Sequence, residues 1–326
     1  MSILSAAYFH DEAAAFEHVE SILWANGPVC PHCGGYDRIY ALKNVTGKTG
    51  KVRHGLRKCG QCRKQFTVRI GTIFEESHLP MHKWLQAIYL MASSKKGVSA
   101  HQLHRTLEVT YKTAWFLAHR IREAMRAGDL APLGGNGKAV EADETYFGKS
   151  DDQPTMRTDG KPFLTRGKKR RGPAGKRSVV GLVERGGSVR TFHIDRATKA
   201  AVGEIVANNV NRETVLNTDE SRLYTEIGRE FAGHETVMHT ANEYVRGDAY
   251  TNTIEGVFSI FKRGMKGVYQ HCSEKHLHRY LAEFDFRYNN RIALGIDDKA
   301  RAGRALEGVK GKRLTYKRTY ETTISA

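Results

Sequence analysis

The sequence predicts a mixed α/β core, a sheet with flanking helices, preceded by a small metal-stapled ribbon and a helical module. Three observations carry this prediction. Two close cysteine pairs stand near the N-terminus, apolar stripes at helical spacing occupy roughly 82–127, and the chain turns to short strands and helices after a glycine-rich break at Gly128–Gly137. The boundaries that follow are 1–26 for an N-terminal helix, 27–71 for the ribbon and 72–127 for the helical module. The α/β core then covers 138–296, with a basic insertion at 148–177, and a basic tail covers 297–326.

The first helix is expected between Asp11 and Trp24, where Ala15, Val19, Ile22 and Leu23 recur at helical spacing. The ribbon holds Cys30-Pro31-His32-Cys33 and Cys59-Gly60-Gln61-Cys62, with 25 residues between the pairs. Zinc prefers four tetrahedral ligands, and thiolates on a tight turn fill adjacent corners. Cys30, Cys33, Cys59 and Cys62 are therefore expected to bind one structural zinc. A redox pair or unbound thiols are the alternatives, whereas four thiolates leave no open position for catalysis. Gly34 and Gly60 suit the turns because they tolerate backbone angles that other residues resist. His32 would join the ligands only if a cysteine left them, and the isolated Cys272 reads as a buried or incidental thiol. The ribbon is basic, with Lys43, Lys48, Lys51, Arg53, His54, Arg57, Lys58, Arg63 and Lys64. These residues either contact phosphates or form a solvated face.

Three further helices are expected at His82–Ala92, Ser99–Leu107 and Thr110–Ala127, with Ser99 and Thr110 as N-caps of the last two. The second and third, joined by a short turn, are compatible with a helix-turn-helix that presents Lys112 and Arg120 to DNA. Two amphipathic helices of an ordinary bundle would look the same. Trp115, Leu117 and Ile121 read as core.

In the α/β region the candidate strands are Ala139–Phe147, Ser178–Val183, Val189–Ile194 and Thr214–Asn217. A crossing helix at Thr198–Asn209 carries Val202, Ile205 and Val206 on one side. Between the first two strands, Gly160–Arg177 holds Lys168, Lys169, Arg170 and Arg171 and no acid, which reads as a DNA-contacting loop.

The chain has 52 Lys and Arg against 35 Asp and Glu, a formal net charge of +17, which favours a polyanionic partner. No run of 18 apolar residues exists, so no membrane-spanning helix is expected. Asp11, Glu12, Glu17 and Glu20 interrupt the N-terminal stretch, which does not read as a secretory signal. A reducing cytoplasmic setting follows.

Three acids draw attention. Asp143 lies near the end of the first strand, Asp219 just after the strand Thr214–Asn217, and Glu255 at the start of a helix with Ile254, Val257, Phe258 and Phe261 on its apolar side. Lys262 follows Glu255 by seven residues, two turns along the same face. Carboxylates gathered around hard divalent cations are the chemistry of phosphoryl transfer. Spacing alone leaves a second reading open. Asp143 and Asp219 can cap the elements that follow, and Asn252 with Glu255 fits a capping box. Tyr224 and His239 are equally open between packing and chemistry.

With these residues in view, the chain resembles the DDE-type transposases of small bacterial insertion sequences, which join an N-terminal zinc ribbon to an integrase-like core. The resemblance runs from the first cysteine pair to about Arg291. It is most specific at Asp143-Glu144-Thr145-Tyr146-Phe147-Gly148, at Asp219 with Tyr224, and at Asn252-Thr253-Ile254-Glu255-Gly256, whose helix continues through Lys262 and Arg263. The run Tyr280 to Arg291 completes it. The resemblance implies an RNase H-like fold and magnesium, as two ions, on Asp143, Asp219 and Glu255. It places Lys262 and Arg263 on DNA phosphate, with Asn252 an accessory and Glu144 the runner-up at the first position. It implies cleavage of element ends and their joining to target DNA. The implied partners are double-stranded DNA and further copies of the chain, as a homodimer or higher assembly at the nucleoid. A DNA-binding regulator with an inactive core and a magnesium-dependent structure-specific nuclease are the competing functions.

Overall fold

The computed structural model describes residues 2–47, 50–128, 130–149, 175–238, 245–246 and 249–315 of the chain. Helix α1 (Glu12–Leu23) precedes three short strands, β1 (Ile39–Ala41), β2 (Arg57–Cys59) and β3 (Gln65–Phe66). Helices α2 (Met81–Ser93), α3 (Ala100–Leu107) and α4 (Tyr111–Met125) follow. Next come β4 (Ala139–Phe147), β5 (Arg177–Glu184), β6 (Val189–Ile194), α5 (Lys199–Asn209), β7 (Val215–Asp219) and β8 (Gly233–Val237). The short pair β9 (Val245–Arg246) and β10 (Ala249–Tyr250) leads to α6 (Asn252–Gly264), α7 (Leu277–Asn289) and α8 (Asp298–Glu307). The chain forms two compact units, one of residues 1–127 with 290–326 and one of residues 128–289.

In the first unit, side chains supply the helix caps. Asp11 accepts from the Ala14 amide, Ser99 from Gln102 and Thr110 from Thr113, each satisfying an amide that the helix leaves open. Pro80 offers α2 no cap, and the Glu12 carboxylate accepts from the Met81 and His82 amides at 2.8 and 3.2 Å instead. Glu108 ends α3 in the left-handed region at φ 52°, so three residues turn the chain into α4.

Residues 297–326 are not only the basic tail expected from their composition, since 298–307 form α8, which packs against α2. Its basic residues concealed it. Arg301 is buried, with its guanidinium donating to the carbonyls of Asn290, Ala92 and Ile296 at 2.6, 3.2 and 3.3 Å. A cation spent on helix-terminal carbonyls behaves as a core residue. Beyond α8, Thr72 bridges Lys310, and the Gly311 amide donates to the Gly71 carbonyl.

The second unit is built on a five-stranded mixed sheet in the order β6-β5-β4-β7-β8. β4 runs antiparallel to β5 and parallel to β7, β5 antiparallel to β6, and β7 parallel to β8. This is the RNase H-like arrangement that the resemblance implies. Side chains alternate across the sheet. Val140, Ala142, Val180, Leu182 and Leu216 pack with Val202 and Val206 of α5, while Val179, Val183 and Val189 pack with α6 and α7. The β4–β7 ladder ends at Glu141 and Asn217, just before Asp143 and Asp219. Open α/β sheets place ligands toward the carboxyl ends of parallel strands, and both aspartates sit where the parallel pairing of β4 and β7 stops.

Candidate active site and metal centres

Asp143 and Asp219 come together because β4 and β7 run side by side in parallel, and each aspartate lies two residues past the last pair of their shared ladder. One oxygen each of Asp143, Glu144 and Asp219 lies within 4.8 Å of the others. Turn residues hold this group in place. The Ser221 amide donates to Asp219 Oδ1 at 3.0 Å, the Ser221 hydroxyl to Glu144 Oε1 at 3.4 Å, and the Tyr224 hydroxyl to Glu144 Oε2 at 2.9 Å. Tyr224 is fully buried in the core on the α5 side of the sheet. Its place between packing and chemistry is thereby explained: it packs, and it orients a carboxylate.

Burial, then the charges of Asp219 and Glu144, push the Asp143 carboxyl up to about 8, with a smaller contribution from Glu255. Burial likewise raises Glu144, against the hydrogen bond from Tyr224. Carboxyls crowded this way are at ease in two states, protonated or neutralised by a cation, and hard oxygen donors suit a divalent ion.

Helix α6 forms the facing wall. A cleft of about 660 Å³ is lined by Asp143, Glu144, Glu255, Ser259, Lys262, Arg263 and Lys266, among others. Glu255 and Lys262 share a helix face at the expected two-turn spacing, and Ile254, Val257, Phe258 and Phe261 are buried on the other. Glu255 thus faces the acidic group from the opposite side of the cleft and is not one of the three clustered acids. The capping-box reading of Asn252 does not hold. The N-cap is Thr251, which makes no side-chain cap bond, and the Thr253 and Ile254 amides donate to Glu141 Oε2 at 2.9 and 3.0 Å. Asn252 is exposed in the first turn of α6.

The second centre lies in the ribbon, where the four sulfurs of Cys30, Cys33, Cys59 and Cys62 also fall within 4.8 Å of one another. The Cys30–Cys62 and Cys33–Cys59 sulfurs are 3.7 and 3.6 Å apart. Four sulfurs at about 2.3 Å from a central zinc stand about 3.8 Å from each other, so the set has the dimensions of a tetrahedral site. The Cys62 amide, with that of Gln61, brings the Cys59 thiol down to about 7 against its burial. Gly34 takes the left-handed conformation at φ 74°, as its turn requires. In the second turn that conformation falls to Arg63 at φ 59°, and Gly60 serves another purpose. A Cβ there would stand 2.9 Å from Arg38 Cβ, so glycine lets the turn close on the neighbouring strand.

Residues 132–289 match the ISXO2-like transposase domain, and residues 10–65 match a transposase zinc-ribbon domain. A protein of transposable element ISH50 from Halobacterium salinarum is 30% identical over 289 residues, which cover 86% of this chain and 91% of that protein. The chain belongs to the ISXO2-like transposase family. Two solved assemblies are also similar, each 12% identical. The Mos1 strand transfer complex matches over 69% of this chain and 74% of that one, with a TM-score of 0.26. The Mos1 paired-end complex with the left transposon end matches over 63% and 76%, with a TM-score of 0.21.

The candidate DNA contacts of the transposase fare unequally. Lys112 is exposed in the first turn of α4, Arg263 is exposed on α6 and Lys262 is half-buried in the cleft. Arg120 is not a DNA contact. It is buried, donates to the Glu75 carbonyl, and lies 5.5 and 5.4 Å from the ring centroids of Trp84 and Phe116. From Ala114 onward the face of α4 that carries it turns into the core, where its guanidinium is an aromatic packing partner. In the ribbon, Arg57 pairs with Glu20 and stacks on Trp24, while Lys43, Lys51, Arg53, Lys58, Arg63 and Lys64 are exposed. Lys168, Lys169, Arg170 and Arg171, together with Lys48 and His239, lie outside the described residues. Among the described residues, no helix is long and apolar enough to cross a membrane.

Sequence reasoning passed over Glu141 and Ser221. Glu141 left a signal, as an acid two residues before Asp143 on the same face of a strand that is otherwise buried there. Ser221 left none beyond its place in the turn after Asp219.

Proposed function

We propose that this transposase cleaves DNA at the ends of its element and joins them to target DNA by phosphoryl transfer in the cleft between β4 and α6. The observation that carries this reading is one acidic group, drawn from two strands, facing α6, which presents Glu255, Lys262 and Arg263 to the same space, with Lys266 just past its end. Asp143, Asp219 and Glu255 would hold magnesium, as two ions. The cations would activate a water or a DNA 3′-hydroxyl and stabilise the leaving oxygen. The remaining work falls to the chain itself. Lys262 and Arg263 hold the phosphate by charge, and the Tyr224 and Ser221 hydroxyls keep Glu144 turned toward Asp143 and Asp219. Lys112 and the exposed ribbon lysines and arginines contact duplex DNA, which copies of the chain bind together as a dimer or higher assembly. The cysteine set holds structural zinc, and the protein acts in the bacterial cytoplasm.

A second reading gives the third ligand position to Glu144, which the clustering of its oxygen with those of Asp143 and Asp219 favours. The experiment is incubation with magnesium and end-bearing DNA, scored for nicked and joined products. Asp143→Asn and Asp219→Asn are expected to keep DNA binding and lose both products by on the order of a thousandfold, as removal of a metal-held charge predicts. Glu255→Gln loses them equally if it is the third ligand. If Glu144→Gln is dead while Glu255→Gln works, the second reading holds. Turnover by the Asp143→Asn protein at the normal rate removes the cleft from the chemistry.

A further inference from the structure

We infer that Glu141 is a positioning residue of the metal site, a buried clamp that fixes where α6 presents Glu255 to Asp143. The inference rests on the assignment of Asp143 and Glu255 as cation ligands proposed above.

Glu141 lies on β4 two residues before Asp143, on the same face of the sheet, and its side chain is closed to solvent. Its carboxylate accepts four hydrogen bonds. Three come from the first turn of α6: the Thr253 amide at 2.9 Å, the Thr253 hydroxyl at 2.8 Å and the Ile254 amide at 3.0 Å. The fourth comes from Arg185 Nε at 2.9 Å. A helix is usually capped by its own preceding residues. Here the cap comes from a strand 112 residues earlier, so the helix end is tied to the strand that carries Asp143. Arg185 adds a second tie, donating to the Tyr250 carbonyl at 2.8 Å and covering the Tyr250 ring at 3.5 Å, just before α6 begins.

Packing tightens the same relation. Gly181 is the ladder partner of Asp143, and a Cβ there would stand 2.7 Å from Ile254 Cδ1 and 2.8 Å from Phe258 Cζ. The helix therefore lies against the sheet directly opposite the aspartate. Glu255 follows the clamped Ile254 amide by one residue, so any shift of the clamp passes to it through almost no intervening chain. Groups that orient metal ligands commonly matter to metal affinity as much as their own contacts suggest.

The test is a Mn²⁺ titration of the full-length protein read by electron paramagnetic resonance, with cleavage followed in parallel. Wild type, Asp143→Asn, Glu141→Ala and Val206→Ala are compared. Val206 is a buried residue of α5 on the opposite face of the sheet from α6, and its truncation is expected to lower thermal stability without touching the α6 face. Glu141→Ala is expected to weaken Mn²⁺ binding by about 10–100-fold, and Val206→Ala to leave it unchanged. Wild-type affinity in Glu141→Ala, or an equal loss in Val206→Ala, overturns the inference. If Asp143→Asn binds Mn²⁺ as wild type does, the ligand assignment itself fails and the positioning role falls with it. Should the alanine protein not fold, Glu141→Gln keeps the shape and one acceptor. Weakened binding is again expected, and wild-type affinity again overturns the inference.

Discussion

The ribbon and the cleft both gather metal-ligating side chains, and they do so by opposite means. In the ribbon, four thiols on two turns, 29 positions apart from Cys30 to Cys59, close completely around one point. In the cleft, acids from β4 and β7 meet in a space that stays open, and the facing acid arrives on a helix more than a hundred residues after Asp143. The ribbon's own apolar cluster is small, Cys30, Cys59 and Phe66 with partly buried neighbours and Leu56 and Val68 buried besides, so a metal on the four thiols is expected to stabilise it. The cleft is carried by a sheet with an apolar core on each face, so the sheet is expected to stay folded without a cation. A metal that makes a fold and a metal that a fold makes room for are thus distinguishable by what lies behind the ligands.

That contrast breaks most sharply under chelation. Removing zinc should unfold the ribbon outright, since structural zinc sites supply on the order of 10 kcal/mol of folding free energy. Stripping divalent cations from the cleft should leave the sheet folded. Metal analysis with circular dichroism on the same samples checks both. A ribbon that stays folded at zero zinc would erase the distinction.

A smaller effect separates the centres by pH. Asp143 is raised to about 8 by burial and its acidic neighbours, so the metal-free protein holds a proton there that the unfolded chain has already released. Its contribution is therefore fully favourable below about pH 4 and is lost as pH rises toward about 8. A bound cation replaces that proton. The increase in Tm on adding Mn²⁺ should accordingly grow between about pH 5 and about pH 8, and Asp143→Asn should flatten the trend while raising the Tm of the metal-free protein. An increment independent of pH in the wild type would sever the link between the cluster and cation binding.

The smallest effect tests the helical module. Lys112→Ala should leave Tm unchanged and reduce the salt dependence of DNA affinity by about one unit of log–log slope, the share of one phosphate contact. Arg120→Ala should do the reverse, lowering Tm through the lost packing on Trp84 and Phe116. If Arg120→Ala changes the slope and spares stability, its burial has been misread.

Legibility in the sequence follows the same division. The cysteine spacing and the strands β4 and β6 could be read directly, because their signals are local: tight turns, alternation and residue type. α1 and α5 were legible for the same reason, with Asp11 and Thr198 marking their starts. β8 was not, since a short edge strand reading Gly-His-Glu-Thr-Val, with one neighbour, has little burial to print a pattern. α8 was hidden by the charge of Arg301. In the cleft, type and position drew attention to Asp143, Asp219, Glu255 and Lys262 while leaving a capping role open, and the resemblance implied their chemistry; the place of Glu141 depends on a contact across 112 residues. Arg120 failed for a related reason, because a guanidinium on a helix looks the same whether it meets phosphate or indole.

The return of the chain to its first unit sets an order in time. Residues 290–315 complete the unit begun by residues 1–127, so a nascent chain cannot finish that unit until the whole of 128–289 has left the ribosome. The carbonyl of Ala92 then waits through some two hundred further residues for the guanidinium of Arg301. A polypeptide interrupted just before Asp298 would carry every proposed ligand of both centres and still lack α8.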